Sequence, residues 1–61
     1  MSRFTNSGRF IYAYYRTAER AYEELEDMYS TGDALPGEDI KVESIRDHRG
    51  LVKGYAITMP A

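Results

Sequence analysis

The sequence predicts an α+β fold in which one helix packs on one face of a three-stranded antiparallel sheet. Residues 9–16 are rich in aromatic rings, residues 18–29 repeat apolar side chains at helical spacing, and residues 40–59 hold two alternating segments joined by a turn. The chain has 61 residues, so we expect one small domain over 1–61, with a flexible N-terminus at 1–8.

The aromatic segment at residues 9–16 is predicted to form the first strand. Large rings alternate at Phe10, Tyr12 and Tyr14, and aromatic residues fit a pleated surface. One long helix over about residues 7–30 is the alternative, because apolar side chains also recur there at seven-residue spacing. The strand is favoured, since a lone hairpin needs a third strand to be stable.

A helix is predicted to follow this strand. Thr17 is a suitable N-cap, and Gly32 suits a left-handed C-cap. Residues 33–39 contain Pro, Gly and Asp and are predicted to form a loop. The apolar positions at spacings of three and four, which should face the sheet, are Ala18, Ala21, Tyr22, Leu25, Met28 and Tyr29.

A β-hairpin is predicted for the rest of the chain, with strands at residues 40–45 and 51–59 and a turn at 47–50. A turn centred on His48 and Arg49 would pair Val42 with Tyr55. Gly54 is expected at a bulge or a close approach of two strands. The core face of the hairpin is predicted to consist of Ile40, Val42, Leu51, Tyr55 and Ile57.

The order β-α-β-β predicts how the strands are arranged. Because the helix returns the chain to its starting edge, strands one and two should run the same way. Strand three runs opposite and fits between them, which gives the strand order 1-3-2. The helix covers one face of this sheet, and the other face is left open, with Tyr12 and Tyr14 expected to stand on it.

Catalysis is not expected from this chain. A single thin layer can hardly enclose a substrate and exclude water. Ser44, Asp47 and His48 lie within five residues of sequence, but they are predicted to form a polar turn and not a triad. There is no Cys, no Gly-rich phosphate cradle and no calcium-loop spacing, so neither a metal nor a cofactor is expected.

Charge is segregated along the chain, although the net charge is only −2. Residues 1–18 carry +3, residues 19–39 carry −7, and residues 40–61 carry +2. Asymmetry of this kind bears on partners and says little about fold. Direct nucleic-acid binding is not expected, because the chain is slightly acidic and its basic residues are scattered.

The predicted helix is strongly acidic. Like charges at four-residue spacing, as in Glu19–Glu23 and Glu23–Asp27, oppose helix formation, and only Arg20–Glu24 is expected to be a favourable pair. At about 1.5 Å per residue, the five carboxylates of residues 19–27 span about 12 Å, a density comparable to the roughly one charge per 1.7 Å of duplex DNA. This face could occupy a basic DNA-binding groove; the alternative is a solvated face kept acidic for solubility.

Taken whole, the chain resembles the small anti-CRISPR proteins encoded by phages and mobile elements, most of all those directed against type I-C systems. The likeness rests on the acidic helix at residues 19–27 and on the hairpin ending Gly54-Tyr55-Ala56-Ile57-Thr58-Met59. It covers most of the chain as a likeness of size, charge layout and general character. That family has no shared motif, so no catalytic residue is carried over.

The resemblance implies a stoichiometric inhibitor that binds the crRNA-guided surveillance complex and blocks target DNA through an acidic, DNA-mimicking surface. The expected partner is a DNA-binding subunit of a type I-C complex in the cytoplasm of a bacterial host, bound by a monomer, with no membrane involved. The matching surface comprises Glu19, Glu23, Glu24, Glu26 and Asp27, extended along the loop by Asp33, Glu38 and Asp39. The alternative is a general protein-interaction module, such as a homodimer that buries a tyrosine-rich sheet face.

Overall fold

The computed structural model describes residues 3–61 and confirms the α+β fold; Met1 and Ser2, part of the N-terminus predicted to be flexible, lie outside the described residues. The strand predicted at residues 9–16 is confirmed, and the long-helix alternative is wrong. β3 lies between β1 and β2 and is antiparallel to both, as the order 1-3-2 requires. The elements are β1 (Phe10–Tyr15), α1 (Ala18–Thr31), β2 (Lys41–Arg46) and β3 (Val52–Met59).

Residues 3–9 turn back onto β1. The main-chain N–H of Ile11 donates to the carbonyl of Arg3 at 2.6 Å. The ring of Phe4 meets the ring of Phe10 edge-on, with 5.8 Å between the ring centroids. These contacts place the segment beside the first strand; its predicted flexibility stays a prediction.

Both predicted caps of α1 are confirmed. The Thr17 side chain accepts a hydrogen bond from the main-chain N–H of Arg20 at 3.2 Å, which satisfies one of the free donors of the first turn. Gly32 adopts a left-handed conformation with φ of 85°. The N–H of Ala34 then donates to the carbonyl of Met28 at 3.1 Å, so the chain leaves the helix through a bonded turn.

The core lies between α1 and the sheet. Its buried members are Leu25, Met28, Ala34 and Ile57, against which Tyr15, Ile40 and Val42 pack. The prediction that Tyr22 and Tyr29 also face the sheet is wrong, because their side chains are 58% and 41% exposed. Each follows a buried helix residue by one position and is therefore turned about 100° away from it.

The hairpin has a register two residues away from the predicted one. Val42 pairs with Ile57, where a pairing with Tyr55 was expected. Leu51 is 60% exposed and not part of the core, because it belongs to the turn that precedes β3. A shift of two residues keeps every side chain on its face of the sheet, which is why Ile40, Val42 and Ile57 still reach the core.

Two bulges break the alternation of side chains. Tyr12 is the extra residue where β1 pairs with β3, and Lys53 is the extra residue where β3 pairs with β2. Gly54 lies beside the second bulge, where a Cβ atom would approach the carbonyl oxygen of Tyr15 to 3.0 Å. The close strand approach expected at Gly54 is therefore present.

Candidate functional site

The acidic face of α1 is defined as Glu19, Glu23, Glu24, Glu26 and Asp27; all of these except Glu24 lie on the side of the helix away from the sheet. Of these residues only Glu24 is half-buried, and the other carboxylates are exposed. Glu24 lies close enough to Tyr15 to add to the rise in its phenol pKa, which is caused first by burial. The rest of the face projects from the molecule.

Arg20 is the one cation within the acidic face, and its partner differs from the predicted one. Its guanidinium forms an ion pair with Glu23, with 3.3 Å between Nη1 and Oε2, and not with Glu24. Glu24 is half-buried and lies near Tyr15 of β1, whereas Glu23, three residues after Arg20, is exposed beside it. Residues 19–27 retain a net charge of −4.

The three loop carboxylates each have a partner inside the chain. Asp33 accepts from the hydroxyl of Thr31 at 3.1 Å, and Glu38 accepts from the main-chain N–H of Leu35 at 2.9 Å. Asp39 forms an ion pair of 2.6 Å with Arg9. These bonds stabilise the loop, so the loop carboxylates differ in chemistry from the exposed acidic face.

Arg9 is the centre of a polar cluster that was not predicted from the sequence. Its Nε donates to the hydroxyl of Thr58 at 3.0 Å and lies 3.4 Å from the carboxylate of Glu43. Thr58 is fully buried, and its hydroxyl donates to Glu43 at 2.5 Å. Asp39 completes the cluster, and its main-chain carbonyl also accepts from Arg9. No short-range pattern signals this cluster, since Arg9 and Thr58 lie 49 positions apart.

The face of the sheet opposite α1 is only partly open. Ile11, Ala56 and Thr58 are buried, although pairing and alternation place them on this face. Tyr14 pairs with Ala56 and is 50% exposed, as expected for the open face. The expectation that Tyr12 also lies on this face assumes that side chains alternate without a break along β1. Tyr12 is the extra residue of the bulge, so this assumption does not hold.

A basic groove crosses the open face at the hairpin end. It consists of two adjoining clefts of about 580 and about 450 Å³ that share Tyr14, Ile45 and Lys53. Arg46 borders the first cleft together with the acids Glu43 and Asp47, and Arg16 borders the second, so cations outnumber acids by three to two. The groove could not be predicted from the sequence, because its basic residues come from three separate segments of the chain.

The predicted polar turn at the end of the hairpin is formed by Asp47. Its Oδ1 accepts from the main-chain N–H groups of Arg49 and Leu51, at 2.8 and 3.1 Å. Between residues 3 and 61 the structure shows no hydrogen bond that joins the side chains of Ser44 or His48 to this carboxylate. Asp47 therefore organises the turn.

Comparisons with known proteins found no family model, curated protein or solved structure that matches this chain. In the described part of the chain, no group of three or more His, Cys, Asp or Glu side chains is placed to hold a metal ion. No helix within residues 3–61 has both the length and the apolar character required to cross a bilayer.

Proposed function

We propose that this protein is a stoichiometric inhibitor of the anti-CRISPR kind, which acts by binding and not by catalysis. Its acidic face would occupy the DNA-binding surface of a type I-C crRNA-guided surveillance complex and exclude target DNA. The complex is a cytoplasmic assembly of the bacterial host, and the inhibitor binds it as a monomer. The target type follows from the resemblance of size and charge layout described above.

The exposure of the acidic face is the observation that supports this proposal. Four of its carboxylates, those of Glu19, Glu23, Glu26 and Asp27, are exposed, and within residues 3–61 the ion pair with Arg20 is their one charge partner. Like charges so close together oppose helix formation. A basic partner would turn that repulsion into attraction, and a fixed helix holds the charges in position without further ordering.

The loop carboxylates make a useful contrast. Asp33, Glu38 and Asp39 already accept hydrogen bonds or an ion pair within the chain. A partner would have to compete with these bonds, so we propose that the acidic face contributes most of the binding and the loop contributes less. The two sets can therefore be separated by mutation.

The alternative function is a general interaction module that dimerises through the sheet. Phe4 and Tyr14 favour it, since both rings are about half exposed, at 53% and 50%. Symmetric pairing through this face would also bring the basic groove of one copy against that of the other. Like charges brought together in this way oppose association, so the inhibitor is the preferred proposal.

The test is an affinity measurement with a purified type I-C surveillance complex. We expect the wild type to bind, and a variant with Glu23→Gln and Glu26→Gln to bind at least about tenfold more weakly, because each interfacial charge contributes about 1 kcal/mol or more. The matched control carries Asp33→Asn and Glu38→Gln, which removes the same charge from the loop, and should change the affinity less than about threefold. Equal weakening by both variants would show that net charge, and not the acidic face, determines binding.

A further inference from the structure

We infer that the basic groove on the open face of the sheet binds single-stranded nucleic acid, in addition to whatever the acidic face binds. The first cleft lies on the face of the sheet opposite α1, the second reaches Tyr15 at the end of β1, and the site does not depend on the proposed inhibitor function. It also revises the expectation that the chain makes no direct nucleic-acid contact. That expectation assumed that the basic residues are scattered over the molecule. In the folded chain, three of them line the same groove.

The cations of the groove are available to an anionic ligand. Arg16, Arg46 and Lys53 are exposed, and none of them forms an ion pair with a carboxylate in the described part of the chain. Arg46 uses one guanidinium nitrogen, Nη1, to donate to the carbonyl of Gly50 at 2.7 Å, which positions its side chain beside the hairpin. The remaining donors of all three side chains can reach phosphate oxygens.

The acids that border the groove are already engaged. Glu43 accepts from Thr58 and lies beside Arg9, and Asp47 accepts from two main-chain N–H groups of the turn. These two acids are half-buried, whereas the three cations are exposed, and the five charged residues that line the two clefts sum to a net charge of +1. An anionic ligand that enters the groove therefore meets exposed cations before it meets the acids.

Tyr14 stands between the cations and makes the groove suitable for bases as well as phosphates. Its half-exposed ring borders both clefts, next to the side chain of Ile45. Gly54 contributes no side chain to the second cleft, which Tyr14 also borders. Aromatic rings on an open sheet face stack unpaired bases, and neighbouring cations hold the backbone between them.

An acidic peptide is the competing occupant, and the geometry favours it less. An extended peptide that docks on a sheet gains affinity from main-chain hydrogen bonds along an edge strand. The groove lies on the face of the sheet and reaches β3, the central strand, at Lys53 and Gly54. Ring stacking with point charges on either side fits a nucleic acid strand better than a peptide.

The test uses fluorescence anisotropy of the isolated protein with a labelled oligothymidylate of about twelve nucleotides, a length that covers typical site sizes. Binding should weaken as salt rises, with a slope of log affinity against log salt near −2, as expected for about three phosphate contacts. A variant with Arg16→Gln, Arg46→Gln and Lys53→Gln should bind at least about tenfold more weakly. Lys41→Gln is the matched control, an exposed cation near the other end of β2, and should change binding less than about twofold.

Stacking is tested separately by Tyr14→Leu, which keeps an apolar side chain but removes the ring. We expect about tenfold weaker binding to the single strand, in line with the contribution of one stacked base. Unfolding curves confirm that each variant folds. If the triple variant is unstable, the double variant Arg16→Gln with Lys53→Gln replaces it, because neither of those side chains donates a hydrogen bond in the turn.

Three results would overturn the inference. The wild type could fail to bind the oligothymidylate, or Lys41→Gln could weaken binding as much as the groove variant. A polyglutamate chain could also compete as well as the oligonucleotide while Tyr14→Leu has no effect, which would assign the groove to an acidic peptide. None of these measurements involves a surveillance complex, so their failure is distinct from failure of the inhibitor proposal.

Discussion

Arg9 and Thr58 are joined by two hydrogen bonds that connect the start of β1 to the end of β3. The guanidinium donates to the hydroxyl of Thr58 at 3.0 Å and to its main-chain carbonyl at 3.1 Å. Glu43 of β2 accepts from the same hydroxyl. One buried threonine thus links groups that belong to all three strands or lie directly beside them.

We expect Thr58→Val to destabilise the fold by about 1–3 kcal/mol, because it removes a buried hydroxyl and leaves the groups around it without a hydrogen bond. Urea unfolding measures the change. Thr31→Val is the control, since the hydroxyl of Thr31 bonds at the exposed end of α1, and it should cost less than about 0.5 kcal/mol. Similar losses at both positions would mean that the buried cluster contributes little to stability.

The C-terminal end of α1 depends on the conformation of Gly32. With φ at 85°, an alanine there should cost about 1–2 kcal/mol. Asn tolerates the left-handed region better than Ala, so Gly32→Asn should cost less than Gly32→Ala in thermal or urea unfolding. If the two variants are equally stable, backbone conformation does not limit this cap.

The raised pKa of Tyr15 predicts how the stability of the fold changes at high pH. Burial raises its pKa above the ordinary value of 10.0, and nearby Glu24 and Tyr12 add to the rise while Arg20 opposes it. Between the unfolded and the folded pKa the folded protein retains a proton that the unfolded chain has lost. Stability from this group is therefore complete below about pH 10 and decreases as pH rises through the folded pKa.

The Tyr15→Phe variant cannot ionise at this position. The loss of stability between about pH 9 and pH 11 should therefore be smaller in Tyr15→Phe than in the wild type, as measured by urea midpoints across that range. Other groups that titrate there are common to both proteins and cancel in the difference. An identical fall in both would show that the folded environment of Tyr15 does not favour the neutral phenol.

Salt separates the two functional proposals. If the acidic face binds a basic surface, the affinity for the surveillance complex should fall as ionic strength rises, because exposed charges are screened within about 8–10 Å near physiological salt. Dimerisation through the sheet face would instead depend on protein concentration and tolerate salt. Sedimentation of the isolated protein across a concentration series, with and without added salt, measures whether the dimer forms and whether it tolerates salt.

The elements of the fold could be predicted because each has a local signal. Ring alternation marks β1, the three-and-four spacing marks α1, and Thr17 and Gly32 mark its ends. The prediction that Leu51 belongs to the core is wrong, because the alternation of side chains does not show where a turn ends and a strand begins. The strand order followed from the direction in which the helix returns the chain.

The register of the hairpin could not be predicted, because the turn before β3 is one residue longer than expected and the bulge at Lys53 adds one residue more. A bulge inserts one residue without a pattern in the sequence, as Tyr12 and Lys53 do here. The acids of α1 could be found because they are contiguous in sequence. The cations of the basic groove come together only through strand pairing.

Displacement of labelled target DNA from a purified type I-C surveillance complex tests the proposed function most directly. It compares the wild type with a variant in which Glu19, Glu23 and Glu26 are changed to Gln and Asp27 to Asn, after unfolding curves show that both are folded. We predict that the wild type displaces the DNA at stoichiometric concentration and that the variant needs at least about tenfold more protein. Equal displacement by the two proteins would contradict a role for the acidic face, and no displacement by either would contradict the inhibitor proposal itself.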